Sequence, residues 1–330
     1  MRNLLDPAIL FFMFGLLAGA LRSNLEIPQP ISRFLSLYLL MALGLKGGFA
    51  LAHSGLVAQV GAELGAAVVL ALIVPLIGYQ ILKGVASPFD AAAIAATYGS
   101  VSAVTFVTTT QYLDGRAIPY GGHMAAAMAL MESPAIIIAV LTAGALRNRA
   151  SPRPVPPAVP GVAFDGLSVR GILHESLTDG AQLLLLGAMA VGLLSGEAGK
   201  AALQPFSVDL FKGLLAFFLL DMGLLTARNL PQLKGTSPWL VCYAIAGPVV
   251  HAAVALALGI LVGANAGDAT LLMVLGASAS YIAVPAVLRY AIPEARPSLY
   301  FGLSLGVTFP LNIIVGIPFY AAMAGVVLAR

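Results

Sequence analysis

Two short clusters of small hydroxyl-bearing residues interrupt otherwise apolar stretches of this chain. The first is Gly99-Ser100-Val101-Ser102 with Thr105, trailed by Thr108-Thr109-Thr110; the second is Gly276-Ala277-Ser278-Ala279-Ser280-Tyr281. Serine and threonine hydroxyls both donate and accept hydrogen bonds, and glycine loosens a helix. In an apolar solvent a broken helix frees carbonyls that suit a cation such as sodium. The half-helix that follows offers amides and a positive dipole end that suit an anion. No Lys or Arg lies within Gly99–Thr110 or Gly276–Tyr281, so an anion there rests on hydroxyls, amides, helix ends and a co-bound cation. Such a grip can release its load, as conduction requires. Small residues also mark ordinary helix contacts in membranes, but two clusters at matching positions favour a binding site.

Other polar residues stand out against the apolar background. Glu132, beside Ser133-Pro134, reads either as a sodium or proton ligand or as a carboxylate that ties down amides freed at a kink. Asp90 follows Ser87-Pro88 and reads as a helix cap. Lys46 and Asp221 lie 175 residues apart; they either pair or act locally, with Lys46 snorkelling to an interface. Asn312 either lines the site or bonds between helices. His53, His123, His174 and His251 show no metal-ligand spacing, and His251 is expected to bond a carbonyl freed near Pro248. The single Cys242 excludes an internal disulfide and is expected to be a small core residue. There is no P-loop, HExxH or GxSxG context, so the expectation is no enzyme, no cofactor and no metal beyond sodium.

The elements that must position these groups follow from composition. The 330 residues are 60% hydrophobic and only 9% charged, with a mean hydropathy of +0.96, far from soluble composition. Nucleic-acid binding has no basic stripe to support it. Apolar runs and their punctuation predict helices near 7–22, 30–52, 57–82, 90–112 and 121–146, then 174–195, 207–228, 236–262, 269–291 and 297–328. Asp6-Pro7 reads as cap and first position of a retained first helix rather than a signal peptide. Residues 147–173, with five prolines and four arginines, read as a hydrophilic linker.

The two sets of five correspond. Gly99 matches Gly276 at an offset of 177, Ile118-Pro119 matches Ile292-Pro293 at 174, Pro134 matches Pro310 at 176 and Pro75 matches Pro248 at 173. A repeat with five crossings must begin its second copy from the opposite side. The expected fold is therefore an all-α membrane protein of ten transmembrane helices, a 5+5 inverted repeat with crossed, broken helices four and nine. Its parts are 1–146, a linker at 147–173, and 174–330. Placing the linker on one side puts eleven of the seventeen Lys and Arg there, among them Arg22, Arg147 and Arg296. The positive-inside rule then makes that side cytoplasmic, with both termini outside and the chain multi-pass in the inner (plasma) membrane.

Several motifs in order along the chain resemble one family. Gly99-x-x-Ser102-x-x-Thr105, Arg116-Ala117-Ile118-Pro119-Tyr120, Glu132-Ser133-Pro134-Ala135, Ala277-Ser278-Ala279-Ser280-Tyr281-Ile282-Ala283-x-Pro285, Pro297-Ser298-x-Tyr300 and Gly316-Ile317-Pro318 are similar to those of the sodium-dependent bicarbonate transporters of cyanobacteria. The resemblance implies sodium-coupled bicarbonate uptake by an elevator-like shift, with sodium as the coupling ion. It implies a homotrimer whose protomers divide into a gate domain (helices 1, 2, 6 and 7) and a core domain (helices 3–5 and 8–10). It also implies a PII-like regulatory protein on the cytoplasmic face. Carried over residue by residue, it points to Gly99, Ser100, Ser102, Thr105, Ser278, Ser280 and Tyr281 for substrate, and to Ser102, Thr105, Glu132, Ser278 and Ser280 for the ion. The chain departs from the family pattern at Ala103-Val104, where a Gly-Ser pair is expected. Two other readings remain: a sodium- or proton-coupled carrier of an organic carboxylate, and a non-transporting membrane sensor.

Overall fold

The computed structural model describes residues 6–55, 58–150 and 180–328, and every regular element among them is helical. In chain order they are α1 (Pro7–Ala20), α2 (Gln29–Ser54), α3 (Ala58–Leu82), α4 (Pro88–Gly99), α5 (Ala103–Asp114), α6 (Met124–Ala150), α7 (Gly180–Gln204), α8 (Phe211–Asn229), α9 (Pro238–Leu261), α10 (Ala266–Ala277) and α11 (Ala283–Ala291). A last helix, α12 (Pro297–Leu328), contains π-turns at Ser304–Thr308 and Asn312–Gly316. These bounds follow the predicted runs, except that the linker's first residues, 147–150, extend α6 and that α7 runs on to Gln204, past the predicted end at 195. Residues 151–173 of the linker and His174 lie outside the described residues.

Local chemistry explains the boundaries. Asp6 caps α1 by accepting from the Ala8 amide at 2.9 Å, with Pro7 at the first helical position. Ser87 caps α4: its Oγ accepts from the Asp90 amide at 3.1 Å and donates to the Asp90 carboxylate at 2.8 Å. Among the described residues, seven stretches are long and apolar enough to cross a membrane, and α1 and α10 are shorter apolar helices. Large apolar side chains such as Leu17, Leu194, Leu261 and Val326 stand exposed, which is tolerable in lipid and an aggregation hazard in water. Cys242 belongs to this outer face; the expectation of a core residue fails because no described element covers its side of α9.

Tight helix pairs rest on glycine. α1 packs on α8 and α2 packs on α7. A Cβ on Gly15 would lie 2.3 Å from the Leu220 carbonyl oxygen, and one on Gly223 would lie 2.2 Å from that of Phe12. In the other pair, a Cβ on Gly48 would lie 2.1 Å from the Met189 oxygen, and one on Gly192 would lie 2.6 Å from that of Leu45. Backbones this close gain dispersion contacts that lipid cannot replace. The remaining helices form a second body in which α3 packs on α4 and α6, and α9 packs on α10.

Gly48→Leu and Gly223→Leu are expected to destabilise the protein by about 1–3 kcal/mol through overpacking. Gly61→Leu, where a Cβ meets nothing within 4 Å, should leave the melting temperature unchanged. Thermal unfolding in detergent, followed by fluorescence, distinguishes the three.

Candidate functional site

The hydroxyl clusters fall where two helices stop. α4 ends at Gly99 because Pro75 of α3 packs against it; a Cβ there would lie 2.6 Å from the proline ring. Ser100 is extended (φ −96°, ψ −172°), and Ser102 starts α5 by capping it. The Ser102 Oγ accepts from the Thr105 amide at 3.2 Å and from the Thr105 hydroxyl at 2.9 Å. The second cluster repeats the pattern. α10 ends at Ala277, Ser278 is extended (φ −84°, ψ 166°), and the Ser280 Oγ accepts from the Val284 amide in the first turn of α11 at 3.2 Å.

The two interruptions bond to each other. The Ser102 amide donates to the Ser278 Oγ at 3.0 Å, and the Ser280 amide donates to the Thr97 carbonyl at 2.8 Å. Ser278 passes its own proton to the Leu275 carbonyl at 3.1 Å. The Ala277 carbonyl, left over at the end of α10, accepts from Asn312 Nδ2 at 2.8 Å. Asn312 thus acts as an interhelical bond, the second of its two expected readings. Tyr98 and Thr308 share a hydrogen bond of 2.6 Å, and Thr308 donates onward to the Ala244 carbonyl at 2.7 Å.

A cavity of about 80 Å³ lies beside the crossing, and its lining includes Val101, Ser102, Ala103, Val104, Glu132, Ser280, Tyr281 and Ile282. It therefore borders the first residues of α5, Ala103 and Val104, whose amides have no intrahelical acceptor, and the segment Ser280–Ile282 that leads into α11. Of the predicted site residues, Ser102, Glu132, Ser280 and Tyr281 reach the cavity. Gly99, Ser100, Thr105 and Ser278 are not part of its lining; they build the crossing behind it. The Ser100 Oγ and the Tyr281 hydroxyl are buried without a hydrogen-bond partner among the described residues, and the Tyr281 ring packs edge-on against Phe309 at 5.2 Å. Ser36 and Leu40 of α2 and Met128 of α6 complete the wall and had no motif to announce them. A hydroxyl one turn from Ser32 in an apolar helix was the available signal for Ser36.

Two larger clefts flank the cavity. One, of about 800 Å³, shares Ser36, Tyr281 and Ile282 with it and also holds Ser32, Arg33 and Asp221. The other, also about 800 Å³, is lined by Leu43, Lys46, Phe106, Asp114, Ala125, Lys200 and Lys212 among others. Lys46 and Asp221 do not pair. Lys46 Nζ bonds Asp114 at 3.1 Å and lies over the Phe211 ring, while the Asp221 carboxylate accepts from Ser32. Tyr120 donates to Asp114 at 3.0 Å; burial and the neighbouring carboxylate push its hydroxyl pKa up, so it stays a neutral donor. His251 does not reach a carbonyl near Pro248; its contact is the backbone at Gly276, and its Nδ1 has no partner among the described residues.

At the ends of the second body, Asp90 accepts from the Arg296 amide at 2.8 Å and from its guanidinium at 2.9 and 3.0 Å. Asp268 accepts from the Gly121 amide at 2.6 Å. Arg147 bonds Glu294 at 2.8 Å, and the guanidinium holds that carboxyl below the usual range. Local spacing could not reveal one further group: Glu63, His123 and Asp268, all buried, bring ligand-type atoms within 4.8 Å of one another.

The family model of the Na+-dependent bicarbonate transporter superfamily matches residues 7–325. No curated protein matches the chain.

Ser102→Ala removes a helix cap and is expected to cost about 0.5–2 kcal/mol. Ser100→Ala, which deletes a buried hydroxyl with no partner, should be neutral or stabilising. Melting temperatures of the two variants should therefore move apart, with Ser102→Ala the lower.

Proposed function

Because the chain belongs to the Na+-dependent bicarbonate transporter superfamily, we propose that it is a secondary active transporter that couples bicarbonate uptake to sodium by an elevator-like movement. The observation that carries this reading is the small cavity bordered by two helix N-termini. Amides at the start of α5 and in the segment that enters α11, with the Ser102, Ser280 and Tyr281 hydroxyls, hold the anion. Sodium binds beside it among hydroxyls of the crossing and the Glu132 carboxylate, and neutralises the repulsion between that carboxylate and bicarbonate. Backbone amides serve equally well at Ala103 and Val104, so the missing hydroxyl at Val104 is compatible with anion binding. Size favours bicarbonate over larger organic acids. A cavity of about 80 Å³ has room for a handful of water-sized groups at ~10–15 Å³ each, and bicarbonate has four heavy atoms.

The architecture of this proposal is the 5+5 inverted repeat with broken helices four (α4–α5) and nine (α10–α11), and three sets of contacts support it. Gly15 touches Gly223 as Gly192 touches Gly48, and the members correspond at offsets of 177 and 175 residues. Asp90 accepts from amide 296 as Asp268 accepts from amide 121, at offsets of 178 and 175. The Ser102 to Ser278 bond joins residues 176 apart, which are each other's counterparts; equivalent positions meet only on a pseudo-twofold axis.

In the elevator, α1, α2, α7 and α8 form the gate domain and the rest form the moving core domain. The cavity shares walls with the cleft that holds Arg33 and Asp221, on the linker side, so this state faces the cytoplasm. Leu40 lines the cavity and Leu43 the opposite cleft, so the barrier is about one helical turn, ~5 Å. Core movement of at least that distance exchanges access. Lys46 of the gate pairs with Asp114 of the core; residues 175 further on, Asp221 and Arg289, carry the reversed charges. The same family premise supplies a trimer and a PII-like partner at the cytoplasmic face.

Labelled bicarbonate uptake into liposomes containing the protein should require an inward sodium gradient, and equal uptake in potassium would sink the coupling. Block of sodium-dependent uptake by organic acids, with none by bicarbonate, would move the substrate to that class. Glu132→Gln should weaken apparent sodium affinity about tenfold, the scale of one charged hydrogen bond.

A further inference from the structure

Away from the crossing, three ionisable side chains from distant parts of the sequence meet inside the protein. Glu63 comes from the second turn of α3, His123 from the segment before α6 and Asp268 from the first turn of α10, and all three are buried. His123 Nε2 lies 2.6 Å from Glu63 Oε2. One donor atom from each residue falls within 4.8 Å of the others. None of the hydrogen bonds described for the two carboxylates comes from Lys or Arg, so two buried negative groups share a single imidazole. Burial of such charge is costly unless a cation balances it.

We propose that Glu63, His123 and Asp268 form a binding site for one divalent transition-metal ion of the Zn2+ or Mn2+ class, separate from the transport cavity. Two carboxylates and one imidazole are the donor set these ions accept, and a divalent charge offsets both carboxylates. The outer partners that such sites use are in place. Gln59 Nε2 donates to Glu63 Oε1 at 2.7 Å, Asn265 donates to Asp268 Oδ2, and the Gly121 amide holds Asp268 Oδ1. These bonds fix the carboxylates with their other electron pairs free to turn inward. Tetrahedral ligands at ~2.0 Å from an ion stand about 3.3 Å apart, so the Glu63–His123 pair at 2.6 Å must open by roughly 0.7 Å and the wider separations, up to 4.8 Å, must close.

There is also a way in. Gly121 lines the cleft of about 800 Å³ that contains Lys46 and Asp114, and it abuts the cluster through its amide. A side chain at that position would fill the space of the His123 ring, since a Cβ would lie 2.2 Å from its Cε1. An ion bound here joins α3, α10 and the start of α6 at one end of the core body. Its role is to stiffen that body, so it is retained through transport and is not itself carried.

The test uses the full-length protein in detergent, stripped with a chelator and titrated with Mn2+ while free ion is followed by its electron paramagnetic resonance. One Mn2+ per chain, displaced by Zn2+ and unaffected by excess Na+, is expected. Glu63→Gln, His123→Asn and Asp268→Asn should each weaken binding at least tenfold, and Gln59→Leu, which spares the three ligands, by about tenfold. Wild-type protein that takes up no more Mn2+ or Zn2+ than the His123→Asn variant overturns the site. If the carboxylate variants do not fold, wild-type stoichiometry decides: less than about a tenth of an ion per chain excludes a site of this kind. The outcome is independent of sodium and bicarbonate.

Discussion

Backbone groups freed in the apolar layer must find partners, and the crossing of the two hydroxyl clusters is where this chain meets that demand. An unpaired amide or carbonyl there costs several kcal/mol. The two interruptions largely satisfy one another: an amide from one meets a serine oxygen from the other, and an amide from the second meets a carbonyl before the first. Asn312 takes a carbonyl at the end of α10. What is left unspent includes the first amides of α5, and these border the cavity. The proposed binding surface is therefore what remains of an incomplete exchange between two helix ends.

This dependence explains features that otherwise look unrelated. Pro75 must press on α4 where the helix ends, so position 99 has to be glycine. α12 must bring Asn312 to Ala277 and Thr308 to Tyr98, and it does so through a helix whose register is altered by two π-turns around Pro310. Proline within the helix frees a carbonyl one turn earlier, and the π-turns absorb the mismatch. A more regular helix would present different residues to the crossing.

Much of this was legible in the sequence, and the reasons are specific. The clusters at Gly99–Thr105 and Gly276–Tyr281 announce themselves because hydroxyls are conspicuous against alanine and leucine. Asp6-Pro7 and Ser87-Pro88 announce helix starts through local capping chemistry. What stayed hidden depends on which helix faces which. Ser36 is an isolated hydroxyl until α2 is placed against the cavity. Lys46 finds Asp114, and Asp221 finds Ser32, only once α2 lies across α5 and α8. The meeting of Glu63, His123 and Asp268 spans 205 residues of sequence, so no spacing rule detects it. Cys242 was misplaced because an apolar run cannot tell a core-facing side from a lipid-facing one when both are oily.

The distribution of polar links bears on how the protein moves. Within the second body the bonds are short and at least partly buried, as at Asp90–Arg296, Asp268–Gly121 and Tyr98–Thr308. Links from the first body to the second include Lys46–Asp114 at a cleft rim and Thr226 to the Leu305 carbonyl at 3.4 Å. An exposed ion pair is worth about 0–1 kcal/mol, and a bond at that length is weak. Under the proposed elevator movement, sliding one body along the other exchanges apolar contact for apolar contact and breaks little that must be replaced. Two positions of the second body would then differ by only a few kcal/mol, the range in which bound ions and substrate are able to shift the balance. Under the proposed coupling, sodium beside Glu132 does this by removing a charge that would otherwise resist leaving the wet cleft, so that the loaded core crosses and the half-loaded one does not.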